Sequence, residues 1–214
     1  MAVSTAEQLI EQPNVILHDV SWETYERLLE EQGEHGGTRF TYDEGTLQIM
    51  IISYEHDRQN RLLASLVEAI LLELDIDFEN AGSNTFKRRD LKRGFEPDSC
   101  FYIRHPEAIR SKKRINLATD PPPDLIIEVD VTHGSMDRLP IFAAVGVSEV
   151  WRYENGAVRI YRLNKDQYDE SGESELLAGV TSALLTQFVA ESQTMRRTDW
   201  QRKVSAWAKS QGNQ

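Results

Sequence analysis

The run Pro123-Asp124-Leu125-Ile126-Ile127-Glu128-Val129-Asp130, preceded upstream by Pro97-Asp98, constrains this chain more than any other feature. It sets carboxylates into a segment otherwise apolar enough to be a buried strand. Side chains alternate along a strand, so Leu125, Ile127, Val129 and Val131 point one way and Asp124, Ile126, Glu128 and Asp130 the other. Glu128 and Asp130 then share one face at the end of one strand. Carboxylates crowded beside an apolar core repel one another and lose hydration, which a cation or a donor network must offset. A divalent metal is the natural candidate.

The chain has 214 residues, enough for one domain with a substantial core. The expected organisation is an N-terminal arm over 1–20, a domain over 21–195, and a C-terminal helix and tail over 196–214. Cys100 is the single cysteine, which excludes an intrachain disulfide and a cysteine zinc cluster and fits a reducing cytoplasm. No segment approaches the roughly 20 apolar residues of a membrane span, and the first residues lack the pattern of a signal peptide. A soluble, unexported protein is expected.

The formal net charge of −11 argues on its face against nucleic acid, whose phosphates are bound by Lys and Arg. The distribution argues otherwise. Four basic and 17 acidic residues precede position 81, ten and four lie between 81 and 114, and ten and 14 follow. One short basic segment thus sits inside an acidic protein. Its clusters, Lys87, Arg88, Arg89, Lys92 and Arg93, then Arg110, Lys112, Lys113 and Arg114, bracket Asp98 in sequence, and all of these but Arg110 are the candidates for binding a nucleic-acid backbone. A charge run of this kind is also what a merely solvated loop looks like.

Ser21 can cap a helix reaching about residue 32, stopped by Gly33, Gly36 and Gly37. Strands over 38–42 and 47–52 form a hairpin through Glu44-Gly45. A helix over about 54–74 repeats Leu62, Leu63, Leu66, Val67, Ile70, Leu71 and Leu74 on the face that must pack on a sheet. Strands are expected over 83–88, 99–103 and 125–131, with a long proline-tipped loop over 104–123. Ser135 can cap a helix over 136–145, with Pro140 near its first turn and Gly146 at its end. A hairpin of strands 147–153 and 157–163 turns through Glu154-Asn155-Gly156. A strand over 174–178 and helices over 183–193 and 199–209 complete an α/β pattern with a mixed sheet. Trp200, Val204 and Trp207 share a face of the last helix, suited to docking on the domain or on a second subunit in a homodimer.

Three blocks are familiar: Glu96-Pro97-Asp98-Ser99-Cys100-Phe101-Tyr102-Ile103, the strand from Pro123 to Val129, and Ala143-Ala144-Val145-Gly146-Val147-Ser148-Glu149-Val150-Trp151-Arg152-Tyr153. In this order they resemble the Uma-type putative restriction endonuclease family, a branch of the PD-(D/E)XK nuclease superfamily, over roughly residues 20 to 190. The resemblance implies a restriction-endonuclease-like core, a mixed β-sheet flanked by helices, and a Mg²⁺- or Mn²⁺-dependent endonuclease acting on DNA. Asp98 matches the Asp of the family's Pro-Asp motif, and Glu128 the acid of its second motif. Carboxylate-bound Mg²⁺ suits the chemistry, since phosphodiester hydrolysis needs charge neutralised, water activated and the leaving oxygen stabilised. The Val129 carbonyl could complete the oxygen shell.

The chain departs from the superfamily at Asp130, which stands where a Lys would orient the attacking water. The resemblance implies that in this branch a basic residue of the following helix substitutes for it, and Arg138 holds that position. A guanidinium cannot act as a general base, but it can orient an anion or steady a transition state. Asp130 is then an additional metal ligand, and Lys87 a second source of the missing ammonium. Glu55, in Glu55-His56-Asp57-Arg58 at the start of the long helix, stands where such nucleases often add an acid to the site. Each residue alone has a plainer reading: a turn aspartate after proline for Asp98, a salt-bridged strand acid for Glu128, a helix-terminus charge for Glu55. A catalytically weakened relative that binds nucleic acid or a protein partner is the alternative function, motivated by the missing Lys. No phosphate-binding glycine loop, serine elbow or zinc-type histidine pair is present.

Overall fold

The computed structural model describes residues 14–33, 37–130 and 136–212. Along the chain run β1 (Asn14–Leu17), α1 (Trp22–Gln32), β2 (Thr38–Asp43), β3 (Thr46–Ile51), α2 (Tyr54–Glu73), β4 (Glu79–Asn80), β5 (Phe86–Arg88), β6 (Arg93–Phe95) and β7 (Ser99–Tyr102). After a long loop come β8 (Leu125–Asp130), α3 (Leu139–Val145), β9 (Glu149–Glu154), β10 (Ala157–Asn164), β11 (Gln167–Ser171), α4 (Ser182–Ser192) and α5 (Arg197–Gly212). The result is a mixed α/β fold of two sheets. One is antiparallel in the order β1-β3-β2-β6-β5, the other is β11-β10-β9-β8-β7-β4. Among the described strands only β8 and β9 run parallel, because the segment between them carries α3 and returns the chain to the same end of the sheet.

The six-stranded sheet has a core on each face. Leu125, Ile127 and Val129 of β8 pack under Leu63, Leu66 and Ile70 of α2 and under Trp200 of α5. Ile126 points the other way, with Cys100 and Val150, against Phe142 of α3 and against Phe86 and Phe95 of the smaller sheet. The alternation expected for β8 is therefore the alternation found, and each fully buried Leu or Ile contributes about 1.5–3 kcal/mol. α1 covers the outer face of the smaller sheet with an aromatic cluster of Trp22, Tyr25 and Tyr42. Gly94 is required beneath it, because a Cβ there would lie 2.2 Å from the Tyr25 hydroxyl oxygen.

Several elements differ from expectation. The arm over 1–20 contains β1, which adds to the smaller sheet through Asn14↔Met50 to Leu17↔Leu47; residues 1–13 lie outside those described. The strand expected over 83–88 shrinks to β5, since the chain bends before Phe86, and β4 and β6 are short strands defined by their partners rather than by pattern. No strand forms over 174–178. There the Ser174 hydroxyl accepts the N–H of Leu176 and of Leu177 and curls the backbone, while β11 pairs with β10 instead. α3 begins at Leu139 rather than 136; Val131, His133 and the expected cap Ser135 lie outside the described residues. The C-terminal helix belongs to the main core through Trp200, Val204 and Ala208.

Candidate active site

The chain crosses from one sheet to the other at Glu96-Pro97-Asp98, and the crossing is braced from three sides. Glu96 accepts the Phe40 N–H at 3.0 Å and the Thr85 hydroxyl at 2.5 Å, tying it to β2. Asn60 of α2 donates to the Asp98 carbonyl at 2.9 Å and accepts the Ser99 hydroxyl at 2.8 Å. The Asp98 carboxylate reaches the neighbouring strand, where Oδ2 accepts the Val129 N–H at 2.8 Å. An Asp side chain thus takes the place of a backbone ladder partner at the point where β7 begins.

The ladder Ser99↔Ile127, Cys100↔Ile126, Phe101↔Leu125, continued by one residue, sets Asp98 opposite Glu128. Both are buried, 3% and 6% exposed. Glu128 Oε2 accepts from the Arg138 guanidinium at 2.7 Å, and Arg138 lies just ahead of α3, buried, its second terminal nitrogen 3.9 Å from Met50 Sδ. His56, in the first turn of α2, sets Nε2 3.1 Å from Asp98 Oδ2, an ion-pair contact without the alignment of a hydrogen bond. Among the described residues Asp98 Oδ1 and Glu128 Oε1 are buried without a hydrogen-bond partner. Each acid therefore has one oxygen held by the protein and one left over.

These surroundings push the two carboxyls apart in acidity. Burial, together with the nearby Asp98 charge, pushes Glu128 up to about 7 despite the opposing pull of Arg138. Burial acts on Asp98 in the same direction, but His56, Arg138 and the Val129 N–H outweigh it and hold the carboxyl below the usual range. Burial disfavours a charged His56, yet the Asp98 and Glu128 carboxylates raise it above the ordinary imidazole value. Burial and the neighbouring charges thus leave Asp98 the readier of the two to ionise.

Glu128, Val129, Asp130 and Arg138 line a cleft of about 110 Å³ together with Met50, Met136, Asp137 and Arg152. Asp130 is half-buried two residues beyond Glu128 on the same face. Glu55 is exposed, and it is His56, one residue on, that reaches Asp98. The basic residues gather elsewhere. Lys87 pairs with Glu26, Arg88 with Asp90, Arg89 with Glu23 and Glu26, and Arg93 with Asp43 and Glu44, so that segment turns toward α1 and the β2–β3 turn. Lys112 pairs with Asp120. The loop carrying Lys112, Lys113 and Arg114 joins the far ends of β7 and β8, four residues and roughly 13 Å along the strand from Asp98. The two clusters bracket Asp98 in sequence and not in space.

Sequence reasoning missed Asn60, Arg152 and Asp137. Arg152 had a readable signal, a charge inside the apolar run Val150-Trp151-Arg152-Tyr153, the same signal that exposes Glu128. Asn60 had none, since a polar residue on a helix facing a sheet is ordinary.

A family model described as putative restriction endonuclease, Uma2, matches residues 22–193. No curated protein matches the chain. Among solved structures, that of a putative nuclease belonging to DUF820 from Anabaena variabilis is similar, with a TM-score of 0.53 at 15% identity over 88% of this chain and 99% of the other. At that identity the likeness concerns the fold.

Proposed function

The chain belongs to the Uma2 family of putative restriction endonucleases, and from that premise we propose that it is a Mg²⁺- or Mn²⁺-dependent endonuclease hydrolysing DNA phosphodiester bonds where β7 and β8 meet. The observation that carries this reading is the pair of buried, unpartnered carboxylate oxygens, Asp98 Oδ1 and Glu128 Oε1. Two hard oxygens on adjacent strands fit a cation of the Mg²⁺ kind, which binds through one or two carboxylates and leaves its remaining positions to water and substrate phosphate. Among the described residues no group of three or more His, Cys, Asp and Glu is arranged to hold a metal, so a site requiring an all-protein cage fits less well.

Asp98 and Glu128 would hold the ion, with the Val129 carbonyl as a further oxygen, while Asp130, on the same face, is not grouped with them as a third acidic ligand among the described residues. Such an ion, when bound, supplies charge neutralisation at the phosphate and a more acidic water. The protein's own groups supply position. Val129 N–H and His56 fix one Asp98 oxygen, and Arg138 fixes one Glu128 oxygen, leaving the free oxygens aimed from a rigid frame. Arg138 keeps its proton and works by charge and orientation. Lys92, Lys113 and Arg114, which have no ion pair among the described residues, are the members of the basic segment open to a DNA backbone.

A second reading, binding without turnover, is favoured by one observation: Asp130 stands in the place of the motif Lys while Arg138 is already engaged by Glu128. Thermal melts and plasmid cleavage in EDTA, Mg²⁺ and Mn²⁺ separate the two. A metal at 100 times its Kd should add about 2.7 kcal/mol to the wild type and nothing to Asp98→Asn. Stabilisation with cleavage supports the nuclease, stabilisation without cleavage supports the second reading, and no metal effect at all removes the metal-dependent nuclease.

A further inference from the structure

Deepening that reading, and resting on it for the nature of the substrate, we propose that Arg152 is the phosphate-contacting cation of the cleft, supplied from β9 in place of the Lys absent at position 130. The ladders of the large sheet set one row of charge across four strands. Asp98 lies opposite Glu128, Glu128 beside Arg152, and Arg152 opposite Arg159. The row changes sign between β8 and β9. Acids suited to a cation stand on one side, and guanidiniums suited to an anion stand on the other, about 4.8 Å away per strand.

The two arginines lining the cleft are not equivalent. Arg138 is buried and committed, its guanidinium held 2.7 Å from Glu128. Arg152 is 18% exposed at its side chain, lines the cleft, and rests 5.6 Å over the Tyr161 ring. Its only ion pair among the described residues is with Asp137, 3.2 Å away and 62% exposed. An exposed carboxylate is weakly held, so an anion of higher charge can displace it, and a planar guanidinium matches phosphate oxygens two at a time. Arg159, next in the row, is instead engaged by both Glu154 and Glu170 and does not line the cleft. Position 130 and position 152 are close neighbours on one face, since Glu128 is in register with Arg152 and Asp130 with Glu154. A cation lost from one strand is thereby recovered from the next.

The test uses two probes, a short duplex DNA of mixed sequence and inorganic pyrophosphate, both titrated calorimetrically with Mg²⁺ present. Arg152→Gln should weaken each by about tenfold or more, the range of a charge-assisted hydrogen bond, and lower the salt slope of DNA affinity by about 0.9, one phosphate contact. Arg152→Lys keeps the charge but not the two-point fork or the seat over Tyr161, so it should lose a measurable part of the binding, less than the Gln variant, and serves if the Gln variant fails to fold. Asp137→Asn should tighten pyrophosphate, and Arg159→Gln should leave it unchanged. If Arg152→Gln and Arg152→Lys both bind like wild type, or if Arg159→Gln loses as much, the proposal is overturned. Wild type that binds pyrophosphate through Arg152 but not DNA would keep the anion site and remove the DNA reading; wild type that binds neither probe removes both.

Discussion

β7 is four residues long, and its two ends hold charge in opposite ways. At its start Asp98, Glu128, His56 and Arg138 are buried together, two acids and two bases with one oxygen of each acid left without a donor among the described residues. Beyond its other end the loop over 104–123 carries exposed charge that finds acids of its own: Arg104 with Asp124, Arg110 with Asp77 and Glu79, Lys112 with Asp120. Burial makes the difference. In water a charge run relaxes onto whatever opposite charge is near, at little gain, whereas a buried carboxyl without a full set of partners costs several kcal/mol and persists only where something compensates it. Abundance of charge in the sequence therefore says less about chemistry than a single charge in an apolar strand.

The largest effects should follow changes at the buried end. Asp98→Asn or Glu128→Gln should reduce cleavage by about 100-fold or more, because each removes a negative charge that would hold the metal ion against the reacting phosphate. Their effects on folding should differ from each other. Glu128→Ala leaves Arg138 buried and unpaired, which costs about 3–5 kcal/mol, while Asp98→Ala strands the Val129 N–H at a cost of about 1–3 kcal/mol. Replacing Glu128 and Arg138 together by Leu and Met should recover most of the lost stability without the activity. Urea unfolding beside plasmid cleavage reads both quantities, and a double variant no more stable than Glu128→Ala would mean that the buried pair is not what the first substitution breaks.

A smaller effect is expected from pH in the metal-free protein. Glu128 has its carboxyl raised from 4.5 to about 7, so the folded state keeps a proton that the unfolded chain releases, and stability falls as pH rises through that window. His56 acts in the same direction: raised above its ordinary value, it stabilises fully below the unfolded pKa and loses this as pH rises through the folded one. Asp98, held low, contributes above its unfolded pKa and loses this only when pH falls through the folded one. Melting temperature should thus decline between about pH 5 and about pH 8, and Glu128→Gln should flatten part of that decline. Saturating Mg²⁺ should oppose the decline by favouring the ionised form of Glu128. A flat profile for the metal-free wild type would contradict the raised acid.

The same contrast explains what could be read from the chain alone. β8 was legible because period-two alternation and a doubly apolar run leave one register that buries Leu125, Ile127 and Val129 against α2. The Glu44-Gly45 and Asn155-Gly156 turns were legible because all four residues take the positive φ that tight turns demand. Glu128 stood out as a charge inside an apolar strand, Asp98 by its Pro-Asp context and Arg138 only through a resemblance, and the chain alone held no sign that Arg138 would meet Glu128 across ten residues. β1, β4, β6 and β11 were not legible, since short or polar strands acquire their identity from the strand beside them. Gln167–Ser171 shows no apolar alternation and becomes β11 only through its ladder with β10. The spatial separation of the basic clusters was hidden for a related reason: direct sequence neighbours of Asp98 lie on both sheets, and only the crossing at Pro97 decides which neighbours stay close.

The smallest effect sharpens the comparison from its exposed side. Lys87, Arg88 and Arg89 are each engaged by an acid of the same surface, so a DNA phosphate gains their charge only by releasing Glu26, Asp90 or Glu23 into solvent beside it. Those carboxylates would remain close enough to repel the phosphate, which cancels much of the attraction. Neutralising the three together to Gln should lower DNA affinity by less than about tenfold and the salt slope by less than about 1, although three unpaired phosphate contacts would account for a slope change of about 2.7. The partner substitution gives the complementary result: Glu23→Gln with Glu26→Gln should raise affinity, by freeing Arg89 and Lys87. Fluorescence anisotropy across a salt series measures both. A slope change near the full value for the triple variant would mean that these ion pairs open on DNA and that the exposed segment, contrary to its pairing in the free protein, is part of the binding surface.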